Sequence, residues 1–232
     1  GKWSERSLQK RNYRFINRFT ECWIPDEETQ DGLAGQLSHP TTMPSVPVRY
    51  IGILSRLKKG NSEEKKDHLF ISLSGPEPQR TFLENKIIHD IGHYHGTAAI
   101  VRGLPGETTM IPSTNHLRFY NHLPTGEMNE EIQRAEYVIS RSGYSTVMDI
   151  ATLGKRSILI PTPGQTEQEY LAKYLTERKI ALCISQKEFD LQDALQKASG
   201  FEYKAMRYTR SSTLSETIIS FLKTITTGQT QK

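Results

Sequence analysis

The chain has 232 residues, of which 35% are hydrophobic and 24% charged, with a net charge of +4; it is long enough to bury a core without staples and too apolar for a disordered chain. Six cations, Lys2, Arg6, Lys10, Arg11, Arg14 and Arg18, fall in the first 20 residues against one acid, Glu5, and the rest is close to neutral, so a general nucleic-acid surface is not expected. No run approaches the ~20 apolar residues of a membrane span and the opening residues are not a signal peptide, while Cys22 and Cys183, 161 positions apart, suggest neither a disulfide framework nor a zinc site.

Leu8, Phe15, Ile16 and Phe19 recur at helical spacing, with Lys10, Arg14 and Arg18 along another face at i, i+4, i+8. Such a basic face suits simple solvation or peripheral contact with an anionic membrane. Cys22-Trp23-Ile24 reads as a short strand, and residues 25–47, with Pro40, Pro44 and Pro47, as an extended, turn-rich linker. A helix and a strand do not make a domain. Residues 1–47 are therefore expected to be the last helix and strand of a truncated N-terminal domain plus a linker, residues 48–205 the main domain, and residues 206–232 a final helix and frayed tail.

The mixed charge run at 61–67 reads as a solvated loop. Beyond it, strands are predicted at 68–72, 97–102, 116–120, 136–140, 157–160 and 180–184, alternating with helices at 79–92, 127–134, 145–153, 167–178, 187–197 and 214–224. This alternation predicts an α/β fold, a doubly wound, mostly parallel Rossmann-like sheet whose ligands bind beyond the carboxyl ends of its strands.

Three strand-to-helix loops carry candidate chemistry. In the first, Ser140-Arg141-Ser142-Gly143 leads into a helix near Ser145, where unpaired amides and the positive dipole end suit a phosphate. Ser142, Gly143, Ser145 and Thr146 could cradle a diphosphate, and Asp149, one turn on, could accept both hydroxyls of a ribose. A plain N-cap and a dipole-matched acid explain the same residues. In the second, Pro161 to Tyr170 again leads from strand to helix; Thr166 and Glu169 have capping-box spacing, and Gln168 with Glu169 could pair with sugar hydroxyls. The third, Ser74-Gly75-Pro76-Glu77-Pro78, is weaker because its prolines remove two amide donors. Asn121-His122-Leu123-Pro124 could read a base edge or only turn the chain. His89, His93 and His95 lie on the polar side of a helix without the acidic residue a zinc motif requires, so no metal is assigned.

The runs Arg141-Ser-Gly-Tyr-Ser-Thr-Val-Met-Asp-Ile150, Gly154-Lys-Arg-Ser-Ile-Leu-Ile-Pro161 and Gln165-Thr-Glu-Gln-Glu-Tyr170 resemble the C-terminal half of MurG-like glycosyltransferases of the GT-B fold, over roughly residues 48–200. The resemblance implies an enzyme fragment that binds a nucleotide-sugar donor, a UDP-sugar such as UDP-GlcNAc, with no further cofactor. It puts Asp149 at the ribose, Gln168 and Glu169 at the sugar, His122 and Leu123 at the uracil, and Gly143, Ser145 and Thr146 at the diphosphate, with Gly75, Arg141 and Ser142 also among the nucleotide-sugar-binding residues. Asp149 is one methylene shorter than the family's Glu, Glu169 replaces a Gln, and Ser74-Gly75-Pro76 replaces a Gly-Gly-Ser loop. The general base and the surface for an acceptor glycan or lipid-linked sugar would belong to a missing N-terminal domain, leaving the fragment inactive alone, in the cytoplasm or at the inner face of the membrane. A nucleotide-sugar hydrolase similar to PseG and the donor-binding subunit of a split transferase are the alternatives.

Overall fold

The computed structural model describes residues 2–29, 32–204 and 212–229, with side chains at 9–29, 32–204 and 214–226. The chain divides into two compact units, residues 1–54 with 208–232, and residues 55–207. The expected boundary at 205–206, the side chain of Leu8 and the tail at 230–232 lie outside the described residues. No described helix is long and apolar enough to cross a membrane.

The first unit contains α1 (Lys2–Ile16), β1 (Cys22–Ile24), a 3-10 turn (Gly35–Leu37), β2 (Val48–Tyr50) and α7 (Ser212–Gln229). α1 stops at Ile16, so Phe19, expected to extend its apolar stripe, sits in a bend, and both it and Phe15 are exposed. Val48, expected to open the main domain, instead pairs with Cys22 in a parallel β1–β2 ladder. Nor are residues 25–47 an extended linker. The chain folds around the fully buried carboxylate of Asp26, which accepts from Leu33 N at 2.8 Å, Ala34 N at 3.0 Å and Ser38 Oγ at 2.6 Å. A buried acid holding several donors organises a loop as a cap organises a helix end. Gly32 is required there, because a Cβ would lie 2.5 Å from Asp26 Oδ2. Near the other chain end, Phe221 of α7 packs edge-on against Trp23, with centroids 5.6 Å apart.

The second unit is the predicted α/β fold. In chain order it runs β3 (His68–Ser72), α2 (Gln79–Ile91), β4 (Thr97–Val101), β5 (Leu117–Tyr120), α3 (Thr125–Arg134), β6 (Tyr137–Ser140), α4 (Tyr144–Leu153), β7 (Ser157–Leu159), α5 (Thr166–Glu177), β8 (Leu182–Cys183) and α6 (Leu191–Gly200). The strands form one parallel sheet in the order β5-β4-β3-β6-β7-β8. α6 begins at Leu191 rather than 187 because Asp190 caps it, accepting from Asp193 N.

Period-two alternation sorts the strand side chains between two faces. Leu69, Ile71, Ile100, Ile139 and Ile158 join Leu83, Ile87, Leu191 and Ala194 of α2 and α6 in one buried cluster. Phe70, Val138 and Leu159, also buried, point to the opposite face. Both faces are covered, which is why the strands read as continuous apolar runs. The winding reverses between the adjacent strands β3 and β6, and a ligand crevice is expected at that reversal.

Candidate functional site

Arg141, the first residue past β6, follows the alternation of Tyr137 and Ile139 and so points to the face covered by α2. It is 1% exposed. Its guanidinium donates to the carbonyls of Gln79 at 2.8 Å, Ile160 at 3.3 Å, Ser74 at 3.4 Å and Pro161 at 3.4 Å. The loops after β3 and β7 and the start of α2 are thus held by one planar fork. Burial pulls its pKa down to about 10. This corrects the expectation that Arg141 touches a ligand: its donors serve backbone oxygens beneath the loops. Ser142 is corrected likewise, being fully buried with its hydroxyl donating to Gln168 O at 3.0 Å.

What remains open is the first turn of α4. Its N-cap is Gly143, not the expected Ser142 or Ser145, and no side chain caps it. The first intrahelical bond runs from Val147 N to Gly143 O at 3.0 Å, so the amides of Ser145 and Thr146 have no partner within the helix. A Cβ on Gly143 would meet nothing within 4 Å, and Ser145 is exposed. The helices α2, α3 and α5, whose N-termini also follow carboxyl ends of strands, lack side-chain caps too, in contrast to α6.

Asp149 lies one turn further along α4, half-buried. Its Oδ1 accepts from Ser55 Oγ at 2.5 Å, and Ser55 Oγ in turn accepts from Leu57 N at 3.0 Å. Burial raises the Asp149 pKa, opposed by the Ser55 hydroxyl and the charge of Arg56. Residues 55–60 form a strap: Lys58 exchanges bonds with Asn129 of α3, and Gly60 N donates to Gln133. Sequence reading missed Ser55 and Arg56, because a polar pair in a loop 94 positions before Asp149 gives no local signal.

Gln168 and Glu169 bond within their own loop. Gln168 Oε1 accepts from Thr162 N at 2.9 Å and its amide donates to Gln165, while Glu169 Oε1 accepts from Gly164 N at 2.9 Å. The expected Thr166/Glu169 capping box does not form, since the N-cap is Gln165 and Thr166 is already helical. Gly75 has φ +107°, and a Cβ there would lie 3.4 Å from Thr162 Oγ1 and 3.9 Å from Arg141 Nε, so the loops after β3, β6 and β7 do converge. His122 and Leu123 stand apart. They follow β5, three strands from β6, about 14 Å at the usual strand spacing, with His122 exposed and Leu123 buried.

The glycosyltransferase family 28 C-terminal domain matches residues 72–221. A UDP-N-acetylglucosamine--N-acetylmuramyl-(pentapeptide) pyrophosphoryl-undecaprenol N-acetylglucosamine transferase of Desulforudis audaxviator (strain MP104C) is 36% identical over 104 residues, covering 44% of this chain and 26% of that protein. The transferase of the same name from Exiguobacterium sibiricum (strain DSM 17290 / CCUG 55495 / CIP 109462 / JCM 13490 / 255-15) is 44% identical over 72 residues, 29% of this chain and 20% of its own. The chain thus matches about a quarter or less of these relatives. Among solved structures, Acinetobacter baumannii MurG is 16% identical with a TM-score of 0.45, covering 69% of this chain and 49% of that one.

Proposed function

Because the chain belongs to the glycosyltransferase family 28 C-terminal domain family, we propose that it is the donor-binding portion of an inverting glycosyltransferase, which takes a sugar from UDP-N-acetylglucosamine or a related UDP-sugar. The observation that carries this reading is the uncapped N-terminus of α4, open at Gly143 and followed one turn later by Asp149.

The diphosphate would meet the amides of Ser145 and Thr146 and the positive end of the helix, and the same groups would stabilise the charge that builds on departing UDP as an acceptor hydroxyl attacks the anomeric carbon from the opposite side. Asp149 would hold the ribose, its Oδ1 shared with Ser55 or released from it. Gln168 and Glu169 would exchange their loop partners for sugar hydroxyls, and the backbone at His122 and Leu123 would hold the base. Gly75 and Arg141 keep the rim in place. The general base and the surface for a lipid-linked acceptor are assigned to another part of the full enzyme, which would act at the cytoplasmic face of a membrane.

The test is calorimetric titration of the chain with UDP, UDP-N-acetylglucosamine, CMP and ADP, beside Asp149→Ala and Ser55→Ala. Uridine-selective binding is expected, weakened more than about tenfold in Asp149→Ala and kept in Ser55→Ala. Ligand at 100 times its Kd also stabilises the fold by about 2.7 kcal/mol. Equal binding of all four nucleotides, or an Asp149→Ala variant that binds UDP like the parent, overturns the reading. Appreciable sugar transfer by this chain alone overturns the assignment of the base elsewhere.

A further inference from the structure

At the far end of α4 from Gly143 lies a cavity of about 430 Å³, roofed by α4 and α5 and floored by β7. The cavity runs along the face of α4 that carries Val147, Ile150, Ala151 and Gly154, whereas Ser145 and Asp149 of the proposed donor site lie on the opposite face of the helix. Its walls are apolar: Val147 and Ile150 of α4, Leu159 of β7, Leu175 of α5, and Ile180. Its charged lining is of one sign. Lys59, Lys155, Arg156 and Lys204 all border it, and among the described residues no carboxylate does.

The cations are not all neutralised. Lys155 and Arg156 share Glu64, and Arg156 also faces Glu136 at 3.5 Å and lies over the ring of Tyr137. Lys59 and Lys204 are exposed and make no ion pair within 4 Å among the described residues, although the charge of Lys204 is felt by Glu202. Lys59 Nζ is held over the last turn of α4, 3.4 Å from where a Gly154 Cβ would stand. Inside, Ser157 is 1% exposed and its hydroxyl oxygen, buried on the cavity wall, has no hydrogen-bond partner among the described residues, although Tyr203 OH beside it donates to Ser157 O at 3.1 Å. A buried hydroxyl without a partner calls for one.

We propose that this cavity binds a small amphiphilic anion, an apolar chain or ring with a phosphate or carboxylate head. The apolar body fills the space between α4 and α5, and the head sits at the rim, where Lys59 and Lys204 donate charge-assisted bonds to it. The volume falls within the range of small-molecule pockets.

The test titrates the chain calorimetrically with n-octyl phosphate below its micelle concentration, n-octanol, octyltrimethylammonium and inorganic phosphate, beside the double variant Lys59→Ala/Lys204→Ala and the cavity-filling Ala151→Leu, with circular dichroism confirming the fold. Octyl phosphate is expected to bind at least about tenfold tighter than octanol or inorganic phosphate. The double variant should lose about tenfold for octyl phosphate and nothing for octanol, and Ala151→Leu should weaken both. Should Ala151→Leu fail to fold, the double variant, altered only at exposed positions, still decides. Sedimentation with phosphatidic-acid vesicles, lost in the double variant, identifies a lipid head group, whereas binding of monomeric octyl phosphate alone identifies a soluble ligand; both support the site. Octyltrimethylammonium or inorganic phosphate binding as well as octyl phosphate, no octyl phosphate binding, or a double variant that binds it like the parent overturns the proposal. UDP titration of the double variant reads the donor site independently.

Discussion

Replacing Arg141 should rank its substitutes in an unusual order. The fall of its pKa from 12.5 to about 10 corresponds to about 3 kcal/mol against the buried ion, at roughly 1.4 kcal/mol per unit. Against that stand one short charge-assisted bond to Gln79 O and three longer ones, together worth about 4 kcal/mol. Arg141→Met forfeits the bonds but also removes the buried charge, a net loss of about 1 kcal/mol. Arg141→Lys keeps a buried cation whose single head cannot span three loops, and should lose about 2 to 3 kcal/mol. For a unit of this size about 1 kcal/mol moves the Tm by roughly 2 to 4 °C. Scanning calorimetry at pH 7 should therefore find Arg141→Met about 2 to 4 °C below the parent and Arg141→Lys about 5 to 10 °C below it. A lysine variant melting at or above the methionine variant would refute the claim that the guanidinium fork, rather than positive charge as such, joins these loops.

Gly143 has φ −69° and open space where a Cβ would stand, so Gly143→Val should leave the Tm within about 1 °C while weakening UDP binding at least about tenfold; a parallel fall of both would mean that Gly143 matters to the fold and not to access. His68 bonds Thr97 Oγ1 at 2.7 Å and Glu131 at 3.3 Å, and burial, outweighing the carboxylate, holds its pKa below the usual value. The unfolded chain then binds the proton more readily, so this contribution to stability is present above the unfolded pKa of about 6.5 and is lost as pH falls below it. Denaturant unfolding between pH 8 and 5 should show that loss in the parent and a flatter profile in His68→Gln, and identical profiles would contradict the neutral, buried assignment.

Strand and helix positions in the second unit were legible from sequence because their signals are local: β-branched runs of four or five residues, glycine and proline stops, and helical apolar spacing. The run from Glu136 to Asp149 likewise announced a strand, a turn and a helix in the right order. Two kinds of error came from the same source. Residues 25–47 looked like a linker because prolines and glycines mark turns whether or not a buried group gathers them, and only the folded chain brings Asp26 against the amides of Leu33 and Ala34. The side chains of Arg141 and Ser142 suit ligand contacts by their chemistry, yet protein acceptors take them first.

Composition, periodicity and motif spacing by themselves determined the α/β class, the alternation of elements and the presence of a helix that begins just after β6. Tertiary structure alone decided which polar groups remain available there, since that depends on partners distant in the chain: Ser55 on Asp149 across 94 positions, and the loops after β3 and β7 on Arg141. The cavity ringed by Lys59, Lys155, Arg156 and Lys204 belongs to the same category, because its cations are drawn from segments up to 145 positions apart and share a rim only once β7 lies between α4 and α5. Local propensity acts over a few residues, whereas burial and pairing are settled by the whole packed core.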